Sequence, residues 1–396
     1  MTNNYKMVNP YRLISMVSFF ICLCVLSGCK DKNSSSLPTQ FDVSKNAWVM
    51  TNFVKQNEIN PILKPDSNLT FVCPISKQEV QWEKRNVFNP TSVVRDDQIY
   101  LLYRAQDQLG TSRIGMAISA DGLHFKKRPQ PVFYPDEDHM KDKEWNTRKD
   151  TDEKRDEDCQ FCYFDGVEDP RIVENENGTY FMTYTSYNGK TARLSIASST
   201  DLINWTKHGL VLKEAHDENT WSKSGAIVAR LVENRMVASK IDGKYWMYFG
   251  DTDLFLATSD DLIQWDILEN KWSKEKIPVM HPRKGYFDSR LVEPGPNALL
   301  IDQGILLIYN GCNAEEYNDQ ALPKGAYAGG QALFDKTKPF KLLERTDHYF
   351  IHPDQDYERV GEVNEVCFVE GWAFLNGKWF LYYGTADSKI AVAVKE

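Results

Sequence analysis

The chain has 396 residues, a formal net charge of −9 at pH 7, and 26% charged and 42% hydrophobic residues. This negative balance argues against binding to the phosphate backbone of nucleic acid, which attracts basic surfaces, so no nucleic-acid partner is expected. The sequence has no glycine-rich phosphate loop and no cluster with metal-ligand spacing. We therefore predict neither a cofactor nor a metal site.

The N-terminus has the pattern of a secretion signal. Lys6 and Arg12 lie near the start of the chain. An apolar run over residues 13–26 follows them and leads into Ser27-Gly28-Cys29. This run is shorter than the roughly 20 residues that cross a bilayer as a helix, which disfavours a permanent transmembrane anchor. Small residues directly before a cysteine resemble the bacterial lipoprotein box. The resemblance implies that residues 1–28 are removed and that Cys29 receives a lipid, giving an exported, membrane-anchored protein of the periplasm or outer membrane.

Residues 29–45 are predicted to be a flexible tether between the lipid and the following domain, since they include a serine run and a proline. Five cysteines follow Cys29 in the sequence. Because this number is odd, at least one of them has no partner within the chain, and the set does not indicate a disulfide-stabilised fold. Cys159-x-x-Cys162 fits either half of a zinc site or a local disulfide. Because no second pair accompanies it, we do not favour the metal.

An internal repeat is the most informative feature of the remaining sequence. One unit reads Tyr100-Leu-Leu-Tyr103, then Ile114-Gly-Met-Ala-Ile-Ser119, then Asp121-Gly-Leu-His-Phe125. Two further copies surround Tyr184 and Tyr248, and two degenerate copies surround Tyr309 and Tyr383. In each unit apolar and aromatic residues recur at every second position, and the pattern ends at Gly, Asp or Asn. This is typical of short antiparallel strands. Five such units predict that residues 46–396 form an all-β, five-bladed β-propeller with an axial active-site pocket.

One acidic motif stands at the start of a predicted strand. Gly166-Val-Glu-Asp-Pro-Arg171 leads into the apolar pair Ile172-Val173, which favours an inward-facing Asp169. On these residues alone, an Asp–Arg ion pair that closes a turn is an equally good interpretation.

Motifs along the chain resemble those of glycoside hydrolase family 130. They lie in the family's order over roughly residues 86–396, one group in each repeat: Asn89-Pro90, Tyr103-Arg104-Ala105, Ser112-Arg113-Ile114-Gly115, Glu168-Asp-Pro-Arg171, Tyr184-Thr-Ser-Tyr187 and Tyr382-Tyr-Gly-Thr-Ala-Asp387. The resemblance implies a five-bladed propeller that cleaves β-mannosides with inversion, as either a phosphorylase or a β-1,2-mannosidase. It implies that Asp169 is the general acid, acting through a sugar hydroxyl, and that Arg171 orients this acid. The mannosyl unit would be held by Asn89, Arg104, Asp107, Tyr187 and Asp387.

The attacking group is either phosphate or water. Family phosphorylases are similar to one another in a Tyr-His-Gly segment and in an arginine after the first strand of the third blade. This chain has Tyr309-Asn310-Gly311 and Gly250-Asp251 at those places. Loss of the basic donors removes the attraction that a doubly charged phosphate needs, and Lys223 alone makes a weak phosphate site. The sequence therefore favours water as the attacking group.

A hydrolase needs a base, and Glu293 in Val292-Glu-Pro-Gly is the preferred candidate. Family phosphorylases tend to have a small residue near this place, so a carboxylate there can hold water where phosphate would bind. An ion pair with Arg290 is the competing interpretation, and Glu233 and Glu365 are alternative bases. Acid and base of an inverting enzyme are expected roughly 6.5–9.5 Å apart.

The favoured prediction is an inverting, exo-acting hydrolase of β-mannosidic bonds in manno-oligosaccharides, with β-1,2 linkages preferred. Three alternatives stay open. They are a mannoside phosphorylase, a propeller glycosidase that acts on arabinan or xylan, and a glycan-binding lipoprotein without activity.

Overall fold

The computed structural model describes residues 48–151, 163–213 and 219–396, and nearly all regular structure in them is β-strand. The all-β prediction is confirmed. The helices of this part of the chain are three single turns: Lys141–Glu144, Arg148–Thr151 and Asp356–Arg359. Within the same ranges, no helix has the length and apolarity needed to cross a membrane. The predicted signal, the tether, Cys29 and the Cys159–Cys162 pair lie outside the described residues.

Most strands follow one another along the chain in five antiparallel groups, named here sheets 1 to 5. Three short strands come first: β1 (Val54–Lys55), β2 (Phe71–Val72) and β3 (Glu79–Val80), of which β2 and β3 form a hairpin. Sheet 1 contains β4 (Asn86–Arg95), β5 (Gln98–Gln106), β6 (Thr111–Ser119) and β7 (Lys126–Lys127). Sheet 2 contains β8 (Asp165–Glu174), β9 (Tyr180–Tyr187), β10 (Ala192–Ser199) and β11 (Thr206–Leu210).

Sheets 3 and 4 each have one strand that is divided in two, the second strand in sheet 3 and the first strand in sheet 4. Sheet 3 contains β12 (Ala226–Val232), β13 (Arg235–Ala238), β14 (Tyr245–Phe249), β15 (Phe255–Ser259) and β16 (Asp266–Ile267). Sheet 4 contains β17 (Leu291–Pro294), β18 (Ala298–Ile301), β19 (Gly304–Cys312), β20 (Tyr327–Phe334) and β21 (Leu342–Arg345). Sheet 5 contains β22 (Cys367–Leu375), β23 (Lys378–Thr385) and β24 (Lys389–Lys395).

The fourth strand of sheet 5 is β1, from the other end of the chain. Val54 pairs with Val394 and Lys55 with Ala393 in antiparallel register. Lys55 also forms ion pairs with Asp354 and with the buried Glu358, at 2.6 and 2.7 Å. The beginning and the end of the described chain are therefore held in one sheet.

The repeated tyrosines occupy the second long strand of each sheet. Tyr103, Tyr184, Tyr248, Tyr309 and Tyr383 are at most 1% exposed and pack in the apolar clusters between neighbouring sheets. Aromatic side chains bury a large area, and truncation of a buried one costs about 3–5 kcal/mol. The repeat seen in the sequence is thus the packing pattern of the core.

The first strands of the sheets lie against one another and thereby position the site. The strand β4 contacts both β8 and β22, and β12 contacts β8 and pairs in parallel with β18. Polar residues that leave the regular pairing of these strands face a shared space rather than the cores between sheets.

Candidate active site

Three of the first strands contain a β-bulge at the same level. The irregularities fall between Phe88 and Pro90, between Glu168 and Arg171, and between Val369 and Gly371. Asn89 and Asp169 have left-handed backbones, with φ of 46° and 51°, which is uncommon for residues other than glycine. Bulges interrupt the ladder and redirect a side chain, and they are frequent beside active sites. Asn89, Asp169 and Glu370 are the redirected residues here.

A cavity of about 140 Å³ lies over these bulges, and we call it the Asp169 cavity. It contains six residues that the sequence predicted for the site: Asn89, Arg104, Asp169, Lys223, Glu293 and Asp387. Its remaining wall is formed by Tyr327, Val363, Val366 and Phe368. These six residues come from separate parts of the sequence, with only Asn89 and Arg104 in the same repeat, and the fold brings them together.

Asp169 is buried among cationic and amide donors. Its Oδ1 accepts hydrogen bonds from Asn89 Nδ2 at 2.9 Å and from Arg104 Nη1 at 3.2 Å, and its Oδ2 lies 3.4 Å from Lys223 Nζ. Burial disfavours the charged form of this carboxyl, but the charges of Arg104 and Lys223 prevail and lower the pKa of Asp169. In the empty site Asp169 is therefore a carboxylate.

Glu293 has the opposite electrostatic environment. It is buried, and its Oε1 accepts a hydrogen bond from the hydroxyl of Ser224. Burial and the nearby Asp251 raise the pKa of Glu293 to about 7, although Lys223 opposes the shift. A carboxyl with a pKa near neutrality suits proton transfer at neutral pH. The ion pair between Glu293 and Arg290, the interpretation that competed with a base role, does not appear among the ion pairs of the described residues.

Arg104 and Asn89 organise the opposite wall of the cavity. Arg104 Nη2 lies 2.6 Å from Glu168 Oε1, and its Nε donates to Ser112 Oγ at 3.0 Å. Asn89 Oδ1 is buried and has no hydrogen-bond partner in the described protein. The oxygen packs against Gly384, so a hydroxyl group of a ligand would reach it only after a local shift of the side chain.

Comparison with known proteins identifies the family. The model of glycoside hydrolase family 130, described as β-1,4-mannooligosaccharide phosphorylase, matches residues 53–396. The chain belongs to glycoside hydrolase family 130. A 1,2-β-oligomannan phosphorylase of Thermoanaerobacter sp. (strain X514) is 29% identical over 331 residues, which are 81% of this chain and 93% of that protein.

Two solved structures are more similar to this chain in sequence than that phosphorylase is. A glycosyl hydrolase from Bacteroides ovatus is 38% identical, with a TM-score of 0.81, and the match covers 88% of this chain and 95% of that one. A second structure comes from work stating that family 130 of mannoside phosphorylases contains glycoside hydrolases that target β-1,2 mannosidic linkages in Candida mannan. It is 40% identical, with a TM-score of 0.81, and the match again covers 88% of this chain and 95% of that one.

Arg171 links the two carboxylates of this family 130 chain through their backbones. Its Nη1 donates to the carbonyl oxygen of Asp169 at 3.3 Å, and its Nη2 and Nε donate to those of Pro294 and Gly295, both at 2.7 Å. Pro294 directly follows Glu293. The buried guanidinium, with its rigid set of donors, therefore holds the backbones that carry Asp169 and Glu293 in fixed relative positions.

Glu370 is a buried acid that the sequence reasoning missed. Its side chain is 0% exposed, both carboxyl oxygens lack hydrogen-bond partners in the described protein, and Arg171 Nη1 lies 3.6 Å away. Burial raises the pKa of Glu370 well above its ordinary value, with the charge of Arg171 acting in the opposite direction. One signal was present: Val369-Glu-Gly371 precedes Tyr383 much as Glu168-Asp-Pro170 precedes Tyr184.

Besides Arg171, which lies behind Asp169 and Glu293, four predicted residues do not line the Asp169 cavity. Asp107 binds Arg113 at 2.8 Å and faces a separate cavity of about 520 Å³. Tyr187 ends β9 and contacts Trp221 edge-to-face at 6.3 Å. Glu233 is exposed in the turn between β12 and β13, at the far end of β12 from Ala226. Glu365 lies just before β22 and not within a strand. Its N–H donates to the carbonyl oxygen of Arg359, and its own carbonyl oxygen accepts a hydrogen bond from Tyr327 N–H.

Family phosphorylases have basic residues at two positions that are Asn310 and Asp251 in this chain. Asn310 is buried and bonds the backbone of Val369 through both its amide atoms, at 2.9 and 2.8 Å. Asp251 accepts a hydrogen bond from Trp221 Nε1 at 2.6 Å. Neither residue offers a positive charge to the Asp169 cavity. In the part of the chain that the structure describes, no three His, Cys, Asp or Glu side chains are grouped as metal ligands.

Proposed function

We propose that this chain is an inverting, exo-acting hydrolase of β-mannosidic bonds, with β-1,2-linked manno-oligosaccharides as the substrate class. The observation that carries the proposal is the buried Glu293, a second carboxyl that shares the Asp169 cavity and has a pKa of about 7. An inverting glycosidase needs two carboxyl groups on opposite sides of the sugar, one as acid and one as base.

In the proposed reaction, the terminal mannosyl unit occupies the Asp169 cavity. Glu293 takes a proton from a water molecule while the water oxygen bonds to the anomeric carbon. The bond to the leaving oxygen breaks, and that oxygen receives a proton from a sugar hydroxyl, which is in turn resupplied by Asp169. Arg104 and Asn89 hold the sugar and the acid together.

The acid and the base share one proton in the productive complex. In the empty site this proton resides on Glu293 rather than on Asp169, since the pKa of Asp169 is lowered and that of Glu293 is raised. Binding of the sugar must therefore shift the proton. A sugar that displaces water around Asp169 favours its neutral form and supplies this shift.

Charge argues against phosphate as the attacking group. The cations that line the cavity, Arg104 and Lys223, are already paired with the carboxylates Glu168 and Asp169. Asp251 would repel a phosphate placed beside it, and the position of the expected histidine is the buried Asn310. Water needs no such positive site. The phosphorylase alternative rests on the description of the family model and on the names of relatives that are 24–29% identical.

The five-bladed propeller and the membrane anchor are part of the proposal. Five successive antiparallel sheets whose first strands contact one another support the propeller. The apolar N-terminal run before Cys29 supports export and lipidation. Mass spectrometry of the protein from bacterial membranes should find a lipid on Cys29, and a Cys29→Ala variant should appear in the soluble fraction.

Product analysis tests the reaction. The enzyme is incubated with β-1,2-mannobiose, with and without phosphate, and the products are followed by NMR. We expect mannose in both cases, released first as the α-anomer, and a loss of at least 100-fold in the Asp169→Asn and Glu293→Gln variants. The Glu233→Gln variant is the matched control and should keep its activity. Mannose 1-phosphate as the main product would refute hydrolysis.

A further inference from the structure

A second cavity lies outside the active site. It has a volume of about 520 Å³ and is lined by residues from three segments of the chain, 75–81, 107–113 and 145–150. We call it the Arg113 cavity. Its volume falls within the roughly 300–1,000 Å³ of pockets that bind small molecules, whereas the Asp169 cavity measures about 140 Å³. In the described part of the chain the two cavities share no lining residue, so the Arg113 cavity is a separate candidate binding site.

The strand β6 lies between the two cavities. Ser112 faces the active site, where its hydroxyl group accepts a hydrogen bond from Arg104 Nε at 3.0 Å. Successive side chains of a strand point to opposite faces of the sheet, so the neighbours of Ser112 face away from Arg104. These neighbours, Thr111 and Arg113, line the Arg113 cavity. A ligand bound in this cavity would therefore lie beside the active site, on the opposite face of β6.

The floor of the Arg113 cavity consists of buried side chains that bond to one another. Arg113 Nη1 lies 2.8 Å from Asp107 Oδ2. Lys149 Nζ lies 2.5 Å from Asp165 Oδ2 and donates to Thr111 Oγ1 at 2.7 Å. Arg113, Asp107 and Lys149 are at most 8% exposed. Because these groups already hold one another, the floor needs little ordering when a ligand binds, which lowers the cost of binding.

Charge argues against an anionic ligand in the Arg113 cavity. Its cations, Arg113 and Lys149, are buried and paired with carboxylates, so neither offers an uncompensated positive charge. Among the described residues of the lining, the charged side chain that is exposed is Asp150. Its Oδ2 accepts a hydrogen bond from Trp145 Nε1 at 2.9 Å. An exposed carboxylate repels anions, and its remaining lone pairs can accept hydroxyl groups.

Uncharged polar groups line the mouth of the cavity. Gln78 and Gln108 are exposed there, and their side-chain amides bond no other residue in the ranges that the structure describes. An amide group both donates and accepts hydrogen bonds, as a sugar hydroxyl group does. Ile75 and Leu109 are half-buried in the same lining and offer apolar surface to the C–H groups of a sugar ring. This combination suits a neutral ligand that is rich in hydroxyl groups.

We propose that the Arg113 cavity is a second, non-catalytic binding site for manno-oligosaccharides. The choice of mannose as the sugar rests on the proposed function, whereas the preference for a neutral glycan follows from the cavity itself. A glycan bound here is held beside the active site, which raises the effective concentration of substrate at Asp169.

Counting the bound sugars tests the second site. The full chain with Asp169→Asn is used, because it should bind β-1,2-mannobiose with little cleavage, and binding is measured by calorimetry. We expect two molecules of mannobiose per chain. Gln78→Ala and Gln108→Ala together remove two amides from the mouth of the Arg113 cavity and should weaken one of the two binding events about tenfold. Binding that is the same with and without these two substitutions would overturn the proposal.

A matched control and a competing ligand sharpen the test. Gln130→Ala removes an exposed glutamine that lines neither cavity, and it should leave both binding events unchanged. Inorganic phosphate should not displace mannobiose from the site that the two glutamine substitutions weaken; displacement would show an anion site and refute a glycan site. Because Gln78 and Gln108 are exposed, the double variant should keep the free energy of unfolding of its parent, which separates lost binding from lost folding.

The test of the second site does not depend on catalysis. If the wild type releases no mannose from mannobiose, the proposed function fails. The effect of the two glutamine substitutions on mannobiose binding then still decides whether the Arg113 cavity holds a glycan.

Discussion

The pH dependence of the reaction follows from the contrast between Asp169 and Glu293. In the proposed reaction the two carboxyl groups carry one proton in total, and apparent pKa values of kcat/KM belong to this pair in the free enzyme. The first is the lowered pKa of Asp169, and the second is the pKa of about 7 at Glu293. Above the second value the pair holds no proton. We therefore expect kcat/KM to be flat on the acid side of neutrality and to fall about tenfold for each pH unit well above about 7.

Two substitutions should move this alkaline limb in opposite directions. Asp251→Asn removes a charge that raises the pKa of Glu293, so the fall in kcat/KM should begin at lower pH. Ser224→Ala removes a hydrogen bond that lowers the pKa of Glu293, so the fall should begin at higher pH. The assay is kcat/KM for β-1,2-mannobiose over about pH 4 to 9 at constant ionic strength. An activity that rises through pH 7 in the wild type, or limbs that move together in the two variants, would refute the shared proton.

Two further predictions concern stability, measured as the free energy of unfolding in urea. Asn310→Ala leaves the N–H and the carbonyl group of Val369 buried without partners and should lower the free energy of unfolding by about 2–5 kcal/mol. Asn177→Ala, at an exposed position, should lower it little. Equal losses in the two variants would show that the bonds from Asn310 to Val369 do not stabilise the fold. The pKa of Glu370 is raised in the folded state. Glu370 therefore stabilises the fold at pH values below its ordinary pKa of 4.5, and this stabilisation is lost as pH rises towards its pKa in the folded state. Glu370→Gln should therefore gain stability relative to the wild type between about pH 5 and 8, and a constant difference across that range would show that Glu370 does not titrate in this way.

Local patterns in the sequence predicted the strands well. The alternation around Tyr103, Tyr184 and Tyr248 corresponds to β5, β9 and β14, because successive side chains of a strand point to opposite faces of the sheet. The sequence did not show that both faces of β5 and β9 are buried. The position of β1 in sheet 5 could not be predicted. It is two residues long, and its partner β24 lies at the far end of the chain, so no local pattern reports the pairing.

The candidate site was predicted in part. Asp169 and Glu293 share a cavity as expected, since each follows from a motif that can be read in the sequence. Glu370 was missed because the bulge that redirects it is defined by pairing between β22 and β23. Asp107 forms an ion pair with Arg113 and accepts hydrogen bonds from the N–H groups of Leu109 and Thr111. Its oxygens therefore stabilise a local turn, and this competes with ligand binding.

The pairing of β1 with β24 has a consequence for the order of folding. Sheets 1 to 4 are each built from consecutive stretches of chain, so they can form as the polypeptide emerges. Sheet 5 has to wait, since one of its edges is supplied by residues made early and the other three strands by residues made last. Until then β24 presents an open edge, which invites pairing with other chains. An exported form of this protein would have to close that edge after translocation, and the speed of this single long-range step would set how much of the newly made protein escapes aggregation.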